Sequence, residues 1–168
     1  VLIYSPKLFV TGKLGMPNSR ATDLVYFSDF LRSRTSQLFQ VNGPKGSGKS
    51  WFLKEVYRRL NEDFEKDKKS NPFPLMIDLD STNIKQLPKQ LKELGKQISE
   101  HEDNVVLLVD GTGANTQDRY DKTEMVEGVL LKPQERNLRL KVVIAQENKS
   151  QFPFSTQYLV LPDIPLFS

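Results

Sequence analysis

At 168 residues and 19.3 kDa, 38% hydrophobic and 27% charged, the chain can bury one core and is too mixed in composition to be disordered or collagen-like. Its 24 basic and 21 acidic side chains leave a formal charge of +3, which tolerates a phosphate-bearing ligand without demanding a polyanion. With no cysteine, disulfides, thiolate metal sites and a cysteine nucleophile are excluded. The longest apolar run, Val105 to Val109, falls far short of the roughly 20 residues of a membrane span. No charged-then-apolar leader opens the chain, so a cytoplasmic location is expected. A start at Val1 instead of Met suggests one domain, residues 1–168, cut from a longer polypeptide.

In chain order, Gly and Pro interrupt residues 8 to 18, after which Leu24, Phe27 and Leu31 recur at helical spacing. Gln37 to Asn42 reads as a short strand ending at a glycine. Phe52, Leu53, Val56, Tyr57, Leu60 and Phe64 then line one face of a helix. A charged loop ending in Asn-Pro leads into a strand at Phe73 to Leu79, which completes a βαβ unit. Leu87, Leu91, Leu94 and Ile98 form the next helical stripe, with Pro88 marking its first turn. Val105 to Val109 has no alternation, as expected of a central parallel strand covered on both faces, and it ends at Asp110. A helix between Lys122 and Leu131, a strand at Leu140 to Ala145 and a strand at Gln157 to Leu161 follow. Alternating strands and helices predict an α/β fold with a mainly parallel sheet.

Gly43-Pro44-Lys45-Gly46-Ser47-Gly48-Lys49-Ser50 matches G-x-x-x-x-G-K-[ST] between a predicted strand and a predicted helix. Chance would supply the pattern in on the order of half a percent of chains this long, and the strand and helix context lowers that further. The glycines let successive backbone N–H groups converge on phosphate oxygens at a helix N-terminus. Lys49 is expected to reach the β- and γ-phosphates, and Ser50 to offer its hydroxyl to Mg²⁺. Asp110, at the carboxyl edge of a parallel strand, is expected to complete the metal's surroundings. Its plainer role would be to open the turn Gly111-Thr112-Gly113.

These features resemble the nucleotide-binding domain of the STAND class, signal-transduction ATPases related to the AAA+ ATPases. The likeness runs from Phe9 to Leu31, through the P-loop, VVLLVDG, EMVEGVLLKP and KVVIAQEN, to YLVLPDI. It implies a three-layer P-loop NTPase sandwich of five strands in the order 5-1-4-3-2, with ATP and Mg²⁺ as ligands. Lys49 and Asp110 would then serve catalysis. In that class an acidic residue usually follows the strand-end aspartate and activates the attacking water. Here Gly111 to Asn115 carry no carboxylate, and the next are Asp118, Asp121 and Glu124. Slow hydrolysis is therefore expected, and a glutamate at position 111 would be expected to raise it if only the missing carboxylate limits the rate. Where similar proteins place a sensor residue, this chain has Gln146, which either meets the γ-phosphate region or is an exposed loop amide.

Trp51, beside the phosphates, is expected to pack against protein instead of stacking on adenine. His101, among Glu100, Glu102 and Asp103, reads as a solvated loop residue. Lys85, Lys89, Lys92 and Lys96 read as the wet face of a helix, not as a nucleic-acid stripe, because no aromatic interleaves them. Taken together, the chain is read as an ATP-binding regulatory switch with slow or impaired hydrolysis. Flanking domains or protein partners would respond to ATP and ADP, and oligomerisation is left open. Rival readings are an ATPase coupled to work on a macromolecule, a small-molecule kinase and, more distantly, a nucleic-acid-binding module. Neither nucleic acid nor membrane is an expected partner.

Overall fold

The computed structural model describes residues 19–43, 46, 48–102, 104–113, 116–134, 139–146 and 156–160; for 19–23, 134 and 156–160 the description is of backbone alone. The interrupted segment at 8 to 18 therefore lies outside the described residues, as do Pro44, Lys45 and Ser47 of the glycine-rich loop.

Helix α1 (Ser19–Arg32) precedes strand β1 (Leu38–Asn42), helix α2 (Lys49–Lys66) and strand β2 (Phe73–Asp78). Helix α3 (Leu87–Glu100), strand β3 (Val105–Thr112) and helix α4 (Gln117–Val126) follow. The chain then passes through a π-helical turn (Glu127–Leu131) and a short 3-10 turn (Lys132–Gln134) to β4 (Leu140–Gln146) and β5 (Thr156–Val160). The strands form one sheet in the order β2-β3-β4-β1-β5, and each described pairing is parallel. The α/β architecture with a parallel sheet expected from the alternating elements is thus present.

Strand pleating divides the core into two layers. On one face Val106 and Leu108 of β3 pack with Phe39, Val41, Val143 and Ala145 against Phe27 and Phe30 of α1 and Phe52, Leu53, Val56 and Leu60 of α2. On the other, Val105, Leu107 and Val109 pack with Leu38, Leu75, Ile77, Val142 and Ile144 against Leu87, Leu91 and Ile98 of α3 and Val126, Leu130 and Leu131. Both sets are buried, which is why Val105–Val109 of β3 and Val142–Ala145 of β4 read as unbroken apolar runs. Each such side chain contributes about 1.5–3 kcal/mol relative to exposure. Phe27 further meets Phe39 edge-on at 5.6 Å and Phe52 at 6.4 Å, locking α1 and α2 to the sheet.

Three local expectations need correction. β3 does not end at Asp110 but continues to Thr112, with an irregular register against β4 between Val109 and Thr112. The fourth helix starts at Gln117, earlier than the apolar pattern implies, because the Thr116 side chain caps it by accepting from the Arg119 N–H at 3.1 Å. Its continuation widens into a π turn, which buries the adjacent Leu130 and Leu131 together. His101 is not a solvated loop residue: its ring stacks on Phe73 at 3.7 Å, and Nδ1 lies 2.9 Å from the Gln97 carbonyl at the end of α3. The four lysines from Lys85 to Lys96 are exposed, as expected.

Candidate functional site

The site sits at the carboxyl edge of the sheet. β1 is buried throughout and is followed by Gly43, whose N–H donates to the Gln146 carbonyl at 3.2 Å. The chain then turns through Gly46 (φ 86°) and Gly48 (φ 91°), left-handed conformations that L side chains rarely adopt. α2 starts at Lys49 with Gly48 as its N-cap, so the helix N-terminus opens on the cleft without a capping side chain. Lys49 Nζ folds back to donate to the Gly43 carbonyl at 2.7 Å.

Gly46, Gly48, Lys49, Ser50, Trp51, Asp110 and Gln146 line one cleft of about 350 Å³. Gly43 does not line it and bears on it only as the acceptor for Lys49. Trp51 is partly buried against the α1 and α2 layer, in line with packing against protein. Gln146 is not a loop amide: it is the buried last residue of β4, accepting from Thr112 Oγ1 at 3.2 Å and donating to Gln40 Oε1 at 3.4 Å.

Asp110 projects from buried β3, and the Ser50 hydroxyl donates to its carboxylate across the cleft. Burial pushes the Asp110 carboxyl above its ordinary value, and the negative charges of Asp78 and Asp80 push the same way. The hydrogen bonds from Ser50 and from the Gly111 N–H oppose that shift. A buried, crowded carboxylate beside a hydroxyl is a set of hard oxygen donors, and such a set fits Mg²⁺.

Two cleft residues escape motif reading. Asp80, just past β2, and Arg119, in the first turn of α4, also line the cleft and join in a two-point ion pair: Arg119 Nε donates to Asp80 Oδ1 at 2.9 Å and Nη2 to Oδ2 at 2.7 Å. Asp80 lies at the carboxyl edge of a parallel strand, and that position is the signal that would have found it. Arg119 gives no comparable signal, since its role depends on where α4 starts. By contrast, Asp118, Asp121 and Glu124 do not line the cleft.

No family model matches the sequence, and no curated protein matches it. Among solved structures, C. elegans PCH-2 is similar over 92% of this chain and 46% of its own, with a TM-score of 0.56 and 13% identity. S. cerevisiae Hsp104, solved in an extended conformation with casein, is similar over 95% of this chain and 29% of its own, with a TM-score of 0.55 and 18% identity. Both are AAA+ ATPases. This chain shares the fold of these two proteins. Identities this low speak to the fold alone, and the chain spans under half the length of either neighbour. With this sheet order and the glycine turn from strand to helix, the fold puts a cleft where Lys49, Ser50 and Asp110 meet.

Proposed function

We propose that the chain binds Mg-ATP in this cleft and works as a nucleotide-dependent switch that hydrolyses ATP slowly, as in the STAND class. The observation that carries the reading is the meeting of Ser50 and Asp110 at the N-terminus of α2, beside Lys49. In this reading the N–H groups of Gly46, Gly48 and the first turn of α2 cradle the phosphates, with Pro44, Lys45 and Ser47 completing the loop. Lys49 leaves Gly43 to neutralise the β- and γ-phosphates. Ser50 and Asp110 would hold Mg²⁺, whose charge would offset that of the phosphates. Gln146, held by Thr112 and Gln40, presents its amide to the terminal phosphate.

A switch needs ATP and ADP to favour different arrangements, because a ligand shifts an equilibrium only by its differential affinity. Flanking domains or a protein partner would read that difference. Thermal melts with Mg-ATP, Mg-ADP and Mg-GTP test the reading. Mg-ATP at 100 times its Kd is expected to protect by about 2.7 kcal/mol, or roughly 5 to 10 °C, with a different shift for Mg-ADP. Equal, negligible shifts for every nucleotide would refute it.

A further inference from the structure

We propose that Asp80 is the catalytic carboxylate that orients and deprotonates the attacking water, and that Arg119 is its positioning residue. The inference rests on the Mg-ATP reading of the cleft and supplies the acidic group that the segment after Asp110 lacks.

Three observations converge on Asp80. Strands β2 and β3 pair in parallel register with Asp78 beside Asp110, so the residues just past β2 emerge next to the segment just past Asp110. There Asp80 occupies the space that a side chain at position 111 would need: a Cβ on Gly111 would lie 3.1 Å from Asp80 Cγ and 3.2 Å from Oδ2. Gly111 also has φ +84°, a backbone that disfavours any side chain. A carboxylate thus stands beside position 111, delivered from the neighbouring strand instead of from β3.

The second observation is rigidity. The Leu79 N–H donates to the Asp110 carbonyl at 2.9 Å, Lys122 Nζ donates to the Leu79 carbonyl at 2.7 Å, and the Asp80 N–H donates to Asp78 Oδ1 at 3.0 Å. The main chain carrying Asp80 is therefore fastened to β3 and α4. Arg119 then fixes the carboxylate by its two-point pair, while each carboxylate oxygen keeps lone-pair capacity for a water.

The third is elimination among the described residues. Asp80 and Asp110 are the carboxylates that line the cleft, and Asp110 is committed to Ser50 and the metal position. Asp78 turns into its own loop, accepting from the Ser81 hydroxyl at 2.6 Å. Asp118 pairs with Lys122 at 2.8 Å, and Asp121 accepts from Gln117 at 2.7 Å. Glu124 accepts from the exposed Tyr120 hydroxyl.

In the step so assigned, the water oxygen bonds to the γ-phosphorus while its proton passes to Asp80. The bond from the γ-phosphorus to the bridging oxygen breaks, its electron pair leaving on ADP, and inorganic phosphate forms. Sharing Asp80 between Arg119 and the water accords with slow turnover.

The test measures Mg-ATP binding and turnover by the 168-residue chain as wild type, Asp80→Asn, Asp80→Glu, Arg119→Lys and Asp121→Asn. Asp80→Asn is expected to lower kcat by at least about tenfold, set against the roughly 10²- to 10⁴-fold that a positioned base contributes, with Mg-ATP affinity kept. Asp80→Glu should restore part of the loss, so a poorly folding Asn variant would not hide the effect. Arg119→Lys keeps the charge but loses the fork, and should lower kcat with KM unchanged. Asp121→Asn should match wild type. Asp80→Asn turning over like wild type would overturn the assignment, as would wild type that binds Mg-ATP without any turnover. Failure of wild type to bind Mg-ATP would instead remove the binding reading, and this inference with it.

Discussion

Lys49 Nζ donates to the carbonyl of Gly43, six residues earlier, at 2.7 Å, so the P-loop ammonium closes its own loop. Binding must exchange this bond for phosphate oxygens, a charge-assisted contact of about the same kind. Lys49→Ala is expected to lower ligand-free stability by about 1.5–3 kcal/mol at most, the range for a hydrogen bond to a charged group. Protection by Mg-ATP should disappear entirely. Parallel melts with and without nucleotide check both parts; undiminished protection in the variant would place the nucleotide elsewhere.

Asp110 links function to pH. Burial raises its carboxyl above the ordinary value of 3.8, so between that value and the raised one the folded state holds more protons than the unfolded chain. Stability of the ligand-free protein should therefore fall as pH rises through that window. The penalty is absent below the window and complete above it. Asp110→Asn carries no such charge and is expected to melt higher than wild type at neutral pH, with the gap closing as pH falls toward the ordinary carboxylate range. The same variant should weaken protection by Mg-ATP. Melting curves across pH, without and with Mg-ATP, check the two opposed effects; a gap that does not change with pH would mean burial of the charge is not the cause.

Lys122 is buried, and its ammonium spans Leu79 O at 2.7 Å and Asp118 Oδ2 at 2.8 Å. Lys122→Met keeps the apolar stem but removes the donor from the Leu79 carbonyl, a loss of about 1–3 kcal/mol, or roughly 2 to 12 °C in Tm. Because Leu79 adjoins Asp80, turnover should fall further than Mg-ATP affinity does. Equal losses in both would mean that Lys122 supports the whole cleft and not Asp80 in particular.

Gly111→Glu, which sequence reasoning favours as a repair for the missing carboxylate, is expected to fail. Its φ of +84° strains any side chain, and the Asp80 atoms 3.1 Å from a Cβ would have to give by a few tenths of an ångström. A left-handed non-glycine residue costs about 1–2 kcal/mol before any crowding. Thermal melts should show at least that loss, and turnover should not rise. A variant as stable as wild type with faster hydrolysis would show that Asp80 yields the space.

What could be read from the sequence follows from how local each signal is. The P-loop is contiguous, and the two buried faces of β3 leave the unbroken apolar run Val105–Val109 before Asp110, so Lys49, Ser50 and Asp110 could be named from spacing alone. Pairings across the chain left no such trace. Arg119 and Asp80 are 39 positions apart, and Thr112 and Gln146 are 34 apart. They meet only because α4 is capped at Thr116 and because β3 runs past Asp110 to reach β4. His101 leaves no trace for a similar reason: its stacking partner, Phe73, begins a distant strand. Charge around His101 suggested solvent, while the ring settled on an aromatic neighbour.

Single-turnover hydrolysis of Mg-ATP on wild-type protein in excess tests the central claim most directly, since it reads occupancy and the chemical step together. Stoichiometric retention of ATP is expected, with conversion to ADP well below about 1 per second, the lower bound of ordinary phosphoryl-transfer turnover. Absence of retained nucleotide, or conversion at roughly 1 to 100 per second, would contradict it.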